Sequence, residues 1–311
     1  MNIVLFLAAA IQAGTSLLFA TVGEIITEKV GHLNLGVEGI MLVGAVIGFV
    51  TAFETENALL AVIAAMAAGV LLSLIYAFLT VSLRANQIVT GLALTIFGAG
   101  TSSFIGTSYI GEIVPLNVKA VLQKSIEIPL LSKIPYIGDI FFKHDILVYI
   151  AVTIAILLGI YMNNTRKGLN LKAVGENPNA ADAAGLNVSL YKYIHIMIGG
   201  ALCGLGGGYL SLVYIPVWQD NVVAGKGWIA VALVIFVSWS PYVAIAGAYL
   251  FGALDIIGFR LQKYQLNIPQ DIIDMAPYIV TIIVIIFASI KPSLKNNPPK
   301  WLGREYFRED R

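Results

Sequence analysis

The stretch Ala58-Leu-Leu-Ala-Val-Ile-Ala-Ala-Met-Ala-Ala-Gly-Val-Leu-Leu-Ser-Leu-Ile-Tyr-Ala-Phe-Leu-Thr-Val-Ser-Leu83 carries no charged side chain from end to end. A bilayer core about 30 Å thick is crossed by about 20 apolar residues in a helix, so this run is long enough to span one. Working outward, the runs 3–22 and 36–53 precede it, and 88–110, 146–162 and 194–215 follow. Then comes 228–257, interrupted by Ser238-Trp239-Ser240-Pro241, and 275–290 closes the set. Proline ends or kinks a helix at the residue before it, so 228–257 reads as two helices. The expected fold is an all-α polytopic membrane protein, one transmembrane domain over residues 1–311, with about nine (about eight to ten) membrane helices.

Composition agrees. Hydrophobic residues are 58% and charged residues 12% of 311 positions, against about 45–50% and about 25% in soluble domains. Mean hydropathy is +0.85. A soluble globule has too little polar surface to cover that much apolar side chain. Thirty glycines without a period and a single cysteine exclude collagen and disulfide scaffolds. A net charge of +1 provides no basic field for nucleic acid. His32, His144, His195 and Cys203 are scattered, without metal-ligand spacing. A signal peptide over 3–22 is disfavoured, because nothing basic precedes the apolar run.

Basic residues orient the chain, since loops rich in Lys and Arg stay cytoplasmic. One alternating set of loops (23–35, 84–87, 163–193, 239–241, 291–311) holds Lys29, Arg84, Arg166, Lys167, Lys172 and Lys192. Its tail, 291–311, adds Lys291, Lys295, Lys300, Arg304, Arg308 and Arg311. Without the tail the two sets are nearly even, so the tail decides: amino terminus outside, carboxyl terminus inside.

Ionisable residues within a bilayer are costly and mark pathways. Three stand at span borders: Glu38, Lys226 and Asp255. Each could equally sit at the water interface, satisfied by solvent. Glu38-Gly39 opens an apolar run that ends at Phe53-Glu54, and Lys226-Gly227 opens one of equal length that ends at Pro241. In the expected topology these run in opposite directions, the pattern of an inverted repeat, which places substrate between the halves near the midplane. Gly199-Gly200-Ala201, Gly204-Leu-Gly-Gly-Gly208, Gly44 and Gly48 suit close helix packing. No Gly-x4-Gly-Lys-Ser/Thr loop occurs, so any ATP must be bound by another chain.

The 163–193 loop contains Gly175-Glu176-Asn177-Pro178-Asn-Ala180-Ala181-Asp-Ala-Ala184-Gly185. Asn177 is a helix cap and Pro178 a first helical residue. The alanines favour a short helix ending at Gly185. Such a small-faced helix suits docking into a partner's groove, or is an ordinary capped loop helix.

The chain resembles the permease subunit of bacterial ATP-binding-cassette (ABC) importers, in the sugar and nucleoside branch of the branched-chain amino acid/ribose-type permeases. The blocks that carry the likeness run in order from Gly23-Glu24 and Gly31-His-Leu-Asn-Leu-Gly-Val-Glu-Gly-Ile-Met41 to Arg84-Ala-Asn-Gln-Ile-Val-Thr-Gly-Leu92. They continue through Val174-Gly-Glu-Asn-Pro178, Gly185-Leu-Asn-Val188, Ala224-Gly-Lys-Gly-Trp-Ile-Ala230 and Trp239-Ser-Pro241. Met275-Ala-Pro-Tyr278 and Pro298-Pro-Lys-Trp-Leu-Gly-Arg-Glu-Tyr306 complete them.

The resemblance implies that 175–185 is the coupling helix that meets the ATPase. Of the pattern Glu-Ala-Ala-x3-Gly-x9-Ile-x-Leu-Pro common in such loops, Asn179-Ala180-Ala181-x3-Gly185 is present with Asn for Glu. His195 stands where Ile is expected, and no Leu-Pro follows. The family fold has two inverted halves. Implied partners are a second, longer permease in a heterodimer, an ABC ATPase and an extracytoplasmic substrate-binding lipoprotein. The implied site of action is the bacterial cytoplasmic membrane. No cofactor is expected on this chain. The substrate expected by resemblance is a nucleoside, with a simple sugar or a flavin-like vitamin as alternatives. Candidate pathway or gate residues are Asn34, Glu38, Asn86, Gln87 and Thr90, since amides hydrogen-bond an uncharged ring compound without presenting charge. Asn86 and Gln87 fit a solvated turn equally well. The competing functions are an ion-coupled secondary transporter and a non-transporting membrane subunit. The paucity of mid-span acids speaks against the first.

Overall fold

A computed structural model describes residues 3–129, 131–262, 275, 279–283, 286 and 298–307. Among the described residues, six helices are long and apolar enough to cross a membrane. The first four are α1 (Ile3–Lys29), α2 (Val37–Thr55), α3 (Ala58–Ala77, prolonged by a π turn to Ser82) and α4 (Gln87–Gly106, prolonged to Tyr109); Ile146–Asn164 and Val188–Tyr214 are the other two. Between α4 and the next span, the 111–145 segment folds into α5 (Leu116–Leu122), α6 (Ile137–Phe141) and the antiparallel strands β1 (Ile126–Glu127) and β2 (Lys143–His144). Then follow α7 (Ile146–Asn164), α8 (Arg166–Glu176), α9 (Pro178–Ala183) and α10 (Val188–Tyr209, prolonged to Tyr214). Two apolar helices follow: α11 (Lys226–Phe236) and α12 (Pro241–Gln262). The ninth expected span, 275–290, lies mostly outside the described residues.

Two expectations change. The first span does not stop at residue 22 but continues to Lys29, so that Glu24 and Glu28 lie inside the helix, buried. The 11 residues of α11 rise only about 16 Å, half the thickness of a bilayer core. The interruption at Ser238–Pro241 therefore divides 228–257 into two helices, each with a shorter apolar stretch than the six spans: Lys226–Phe236 and Pro241–Ile257. Ser238 and Trp239 make that turn in left-handed backbone conformations.

α10 is the centre of the bundle, packed by α1, α2 and α3. It owes this to its glycines. A Cβ on Gly204 would strike the carbonyl oxygen of Ala65, and one on Gly200 the hydroxyl of Ser73. Gly204→Leu is thus expected to force α10 away from α3 and cost about 1–3 kcal/mol. That would appear as a lower melting midpoint of the detergent-solubilised chain, whereas an unchanged midpoint would mean the helices do not meet there. Leu59, Leu71, Ile96, Phe97 and Phe104 remain exposed on the outer faces of α3 and α4, as suits a lipid-facing surface.

Segments assigned to one side by their charge gather at one end of the bundle. The Trp301 amide donates to the carbonyl of Gly175, and Gly303 to that of Gly31. Gln87 Nε2 donates to the Arg304 carbonyl, and Lys29 lies over the Trp239 ring. The opposite end carries the 111–145 segment, bridged through Ile113 to Val217.

Candidate functional site

Gly98 is the central residue of the 23-residue helix Gln87–Tyr109. A Cβ placed on it would lie 2.5 Å from the Cα of Gly39. The first turn of α2 therefore crosses α4 between Gly91 and Gly98, inside the bundle, and Glu38 lies in that turn. Glu38 is 5% exposed. Oε1 accepts the Gly225 amide at 2.8 Å and Oε2 the Gly227 amide at 2.7 Å. These amides open α11, where backbone N–H groups are unpaired and the helix dipole favours an anion. Gly227 permits the approach: a Cβ there would be 2.5 Å from the Glu38 Cα.

The two helix starts that share a glycine pattern thus meet. From the meeting point α2 runs to Glu54, which accepts the Tyr109 hydroxyl at the 111–145 end. α11 runs the other way, to Trp239, whose indole N–H donates to Glu28 near the end of α1. Beside the junction, Lys226 pairs with Asp255 on α12 at 2.7 Å. Solvent does not satisfy this lysine; a carboxylate does. α11 is bracketed by left-handed residues, Asn221, Ala224 and Gly225 before it and Ser238 and Trp239 after it. Non-glycine residues in that region store strain, which gathers at ligand clamps and switch regions.

The remaining sequence candidates fall into two groups. Asn34 and Gln87 are buried and hold the turn 30–36. Asn34 Oδ1 accepts the Gly36 amide at 2.9 Å, and the backbone N–H of Asn34 donates to Glu24 Oε1 at 3.0 Å. Gln87 Oε1 accepts the Leu33 amide at 2.9 Å. Asn86 and Thr90 bond within the first turn of α4. Asn86 Oδ1 accepts the Val89 amide, and the Thr90 hydroxyl donates to the Asn86 carbonyl. Only Glu38 among the five reaches the α11 junction directly.

In the coupling segment, Asn177 Oδ1 caps α9 by accepting the Ala180 amide at 3.0 Å, and Pro178 is its first residue. Gly175 and Glu176 belong instead to the end of α8, and Gly175 packs on the Lys29 carbonyl, where a Cβ has no room. Pro178 and Ala181 face inward, while Ala180, Ala184 and Gly185 are exposed. Gly185 has φ +83 and open space around it.

Residues 6–288 match the permease component family of branched-chain amino acid transport systems. The chain belongs to that family. TsgC13 of Haloferax volcanii, an ABC transporter permease provisionally assigned to glucose, is 36% identical over 97% of this chain and 97% of its own length. NupC of Lactococcus lactis, a nucleoside ABC transporter permease, is 35% identical over 87% and 88%. NupQ of Bacillus subtilis, a guanosine ABC transporter permease, is 35% identical over 92% and 93%. Each of these organisms also has a second matching permease, 24–25% identical, of whose length this chain spans 73–80%. The chain is accordingly an ABC transporter permease and not itself an enzyme, and the ion-coupled carrier is set aside.

Glu24 and Glu28 escaped the sequence reading. Their spacing places both on one helix face, and the glycine before them reads as a loop only if Gly199, which packs on Gly23, is unknown.

Proposed function

We infer that the chain is the shorter permease of a heterodimeric ABC importer in the bacterial cytoplasmic membrane, moving a nucleoside inward. The observation that carries this reading is the carboxylate of Glu38 holding the start of a half-length helix inside the bundle, in a chain of this family. Discontinuous helices whose amino termini meet polar groups near the midplane are where transporters place their substrate. The apposed starts of α2 and α11, running to opposite ends, support two inverted halves with Glu38 at the gate between them. Asn34 and Gln87 brace that gate through the turn 30–36, and Asn86 and Thr90 set the first turn of α4 beside it.

The paired relatives of unequal length support a longer second permease. An ABC ATPase binds the ATP and docks on α9; an extracytoplasmic lipoprotein delivers the substrate. The packing of the basic tail against Gly31 and Gly175 supports a cytoplasmic carboxyl terminus. Relatives named for nucleosides and guanosine favour a nucleoside over glucose or a flavin-like vitamin, and a pathway with few fixed charges suits an uncharged ring compound. Proteoliposomes holding the complete complex should take up radiolabelled guanosine when ATP is supplied to the ATPase. Excess adenosine or uridine should compete and glucose should not. Uptake displaced by glucose and indifferent to nucleosides would overturn the substrate.

A further inference from the structure

A cavity of about 380 Å³ lies where the α9–α10 turn meets the end of α3 and the carboxyl-terminal tail. Its lining includes Thr80, Arg84, Val188, Ser189, Lys192 and Tyr306. Lys192, one turn into α10, is 3% exposed. Among the described residues its ammonium has neither a hydrogen-bond partner nor a carboxylate; it lies 5.5 Å from the centre of the Tyr306 ring. Arg84 is likewise without an ion pair there, stacked 4.8 Å from the Phe307 ring. Asp182 also lines the cavity and has a partner of its own.

A buried ammonium without a counter-charge is strongly unfavourable. α10 adds to the positive field. Asn187 occupies the Leu190 amide, which leaves the amides of Val188 and Ser189, both on the cavity lining, without a partner inside the helix. Two cations and a helix amino terminus converge on a space far larger than one water.

We propose that this cavity binds a phosphate group, held by Lys192, Arg84 and the amino terminus of α10. Anionic phospholipid is the source that the surroundings favour. Leu83 and Leu190, neighbours of Arg84 and Ser189, are 60% and 53% exposed and can lie along acyl chains. Basic pockets between membrane helices recognise such headgroups. The bound phosphate ties the end of α3 to the turn behind α9 and stiffens the surface on which α9 sits.

The test is thermal unfolding of the full-length chain in detergent, titrated at constant ionic strength. The probes are short-chain phosphatidylglycerol, the matching phosphatidylcholine and inorganic phosphate. Phosphatidylglycerol should raise the wild-type midpoint at a concentration at least about tenfold below that of phosphatidylcholine, as fits hydrogen bonds to charged groups. Lys192→Met should abolish that preference. Arg84→Gln, on a partly exposed side chain, should weaken it and guards against a Lys192 variant that does not fold. If inorganic phosphate acts as well as phosphatidylglycerol, the source is soluble; if it does not, the source is lipid. No midpoint shift with any phosphate probe, or a full preference retained by both variants, would overturn the proposal. So would zero-length cross-linking of Lys192 to an acidic residue of the ATPase without any phosphate effect, because the cavity would then be a protein contact.

Discussion

Replacing Glu38 by alanine is expected to slow substrate uptake by about tenfold or more, through the loss of two charge-assisted hydrogen bonds. Glutamine should do nearly as badly. Both carboxylate oxygens accept backbone amides, from Gly225 and Gly227, and an amide side chain has only one acceptor oxygen. The other position would set its NH2 against an N–H. Both variants should still assemble with their partners, because the packing of α10 on α1 and α3 does not involve this side chain. The partner's ATPase should lose its response to substrate. Wild-type uptake by Glu38→Ala at equal assembly would show that the clamp on α11 plays no part in transport.

An equally large loss is expected at the coupling surface. Gly185→Leu forces a side chain into φ +83 and fills the open face beside α9, while Ala184→Arg places a bulky charge on the same exposed face. Each should abolish ATPase assembly and with it ATP-driven uptake; Ala184→Arg should leave the melting midpoint of the isolated chain within a degree or two of wild type, whereas Gly185→Leu should also lower it by a few degrees through the strained backbone. Cysteines at Ala180 or Ala184 should cross-link to the ATPase. One at Ala181 should not, because Ala181 is buried against the chain itself. Labelling of residues 180 and 184 from the extracytoplasmic side alone would refute both the docking and the orientation.

Long apolar runs made the bundle readable because a bilayer demands them, and the capped helix at Asn177-Pro178 was readable because capping is local. The errors arose where tertiary contact overrides local pattern. Glu24 ends an apolar window, yet the helix continues through it, since the Asn34 amide and the Trp239 indole meet Glu24 and Glu28 inside the protein. Lys226 and Asp255 read as solvated border charges because nothing in their spacing joins residues on separate helices. Their ion pair appears only once α11 stops half-way and α12 returns beside it. The glycine pattern at Glu38-Gly39 and Lys226-Gly227 hinted at a repeat, but not that the two starts touch. The docking of Trp301 on Gly175 left no local trace at all.

The measurement that bears most directly on this mechanism is uptake by proteoliposomes of the complete complex, with ATP supplied to the ATPase and no ion gradient. Uptake should persist undiminished with an uncoupler, cease with a non-hydrolysable ATP analogue, and fall about tenfold or more in Glu38→Ala while the complex stays intact. Uptake that collapses with the uncoupler, continues without hydrolysis, or ignores Glu38 would contradict an ATP-driven gate built on the start of α11.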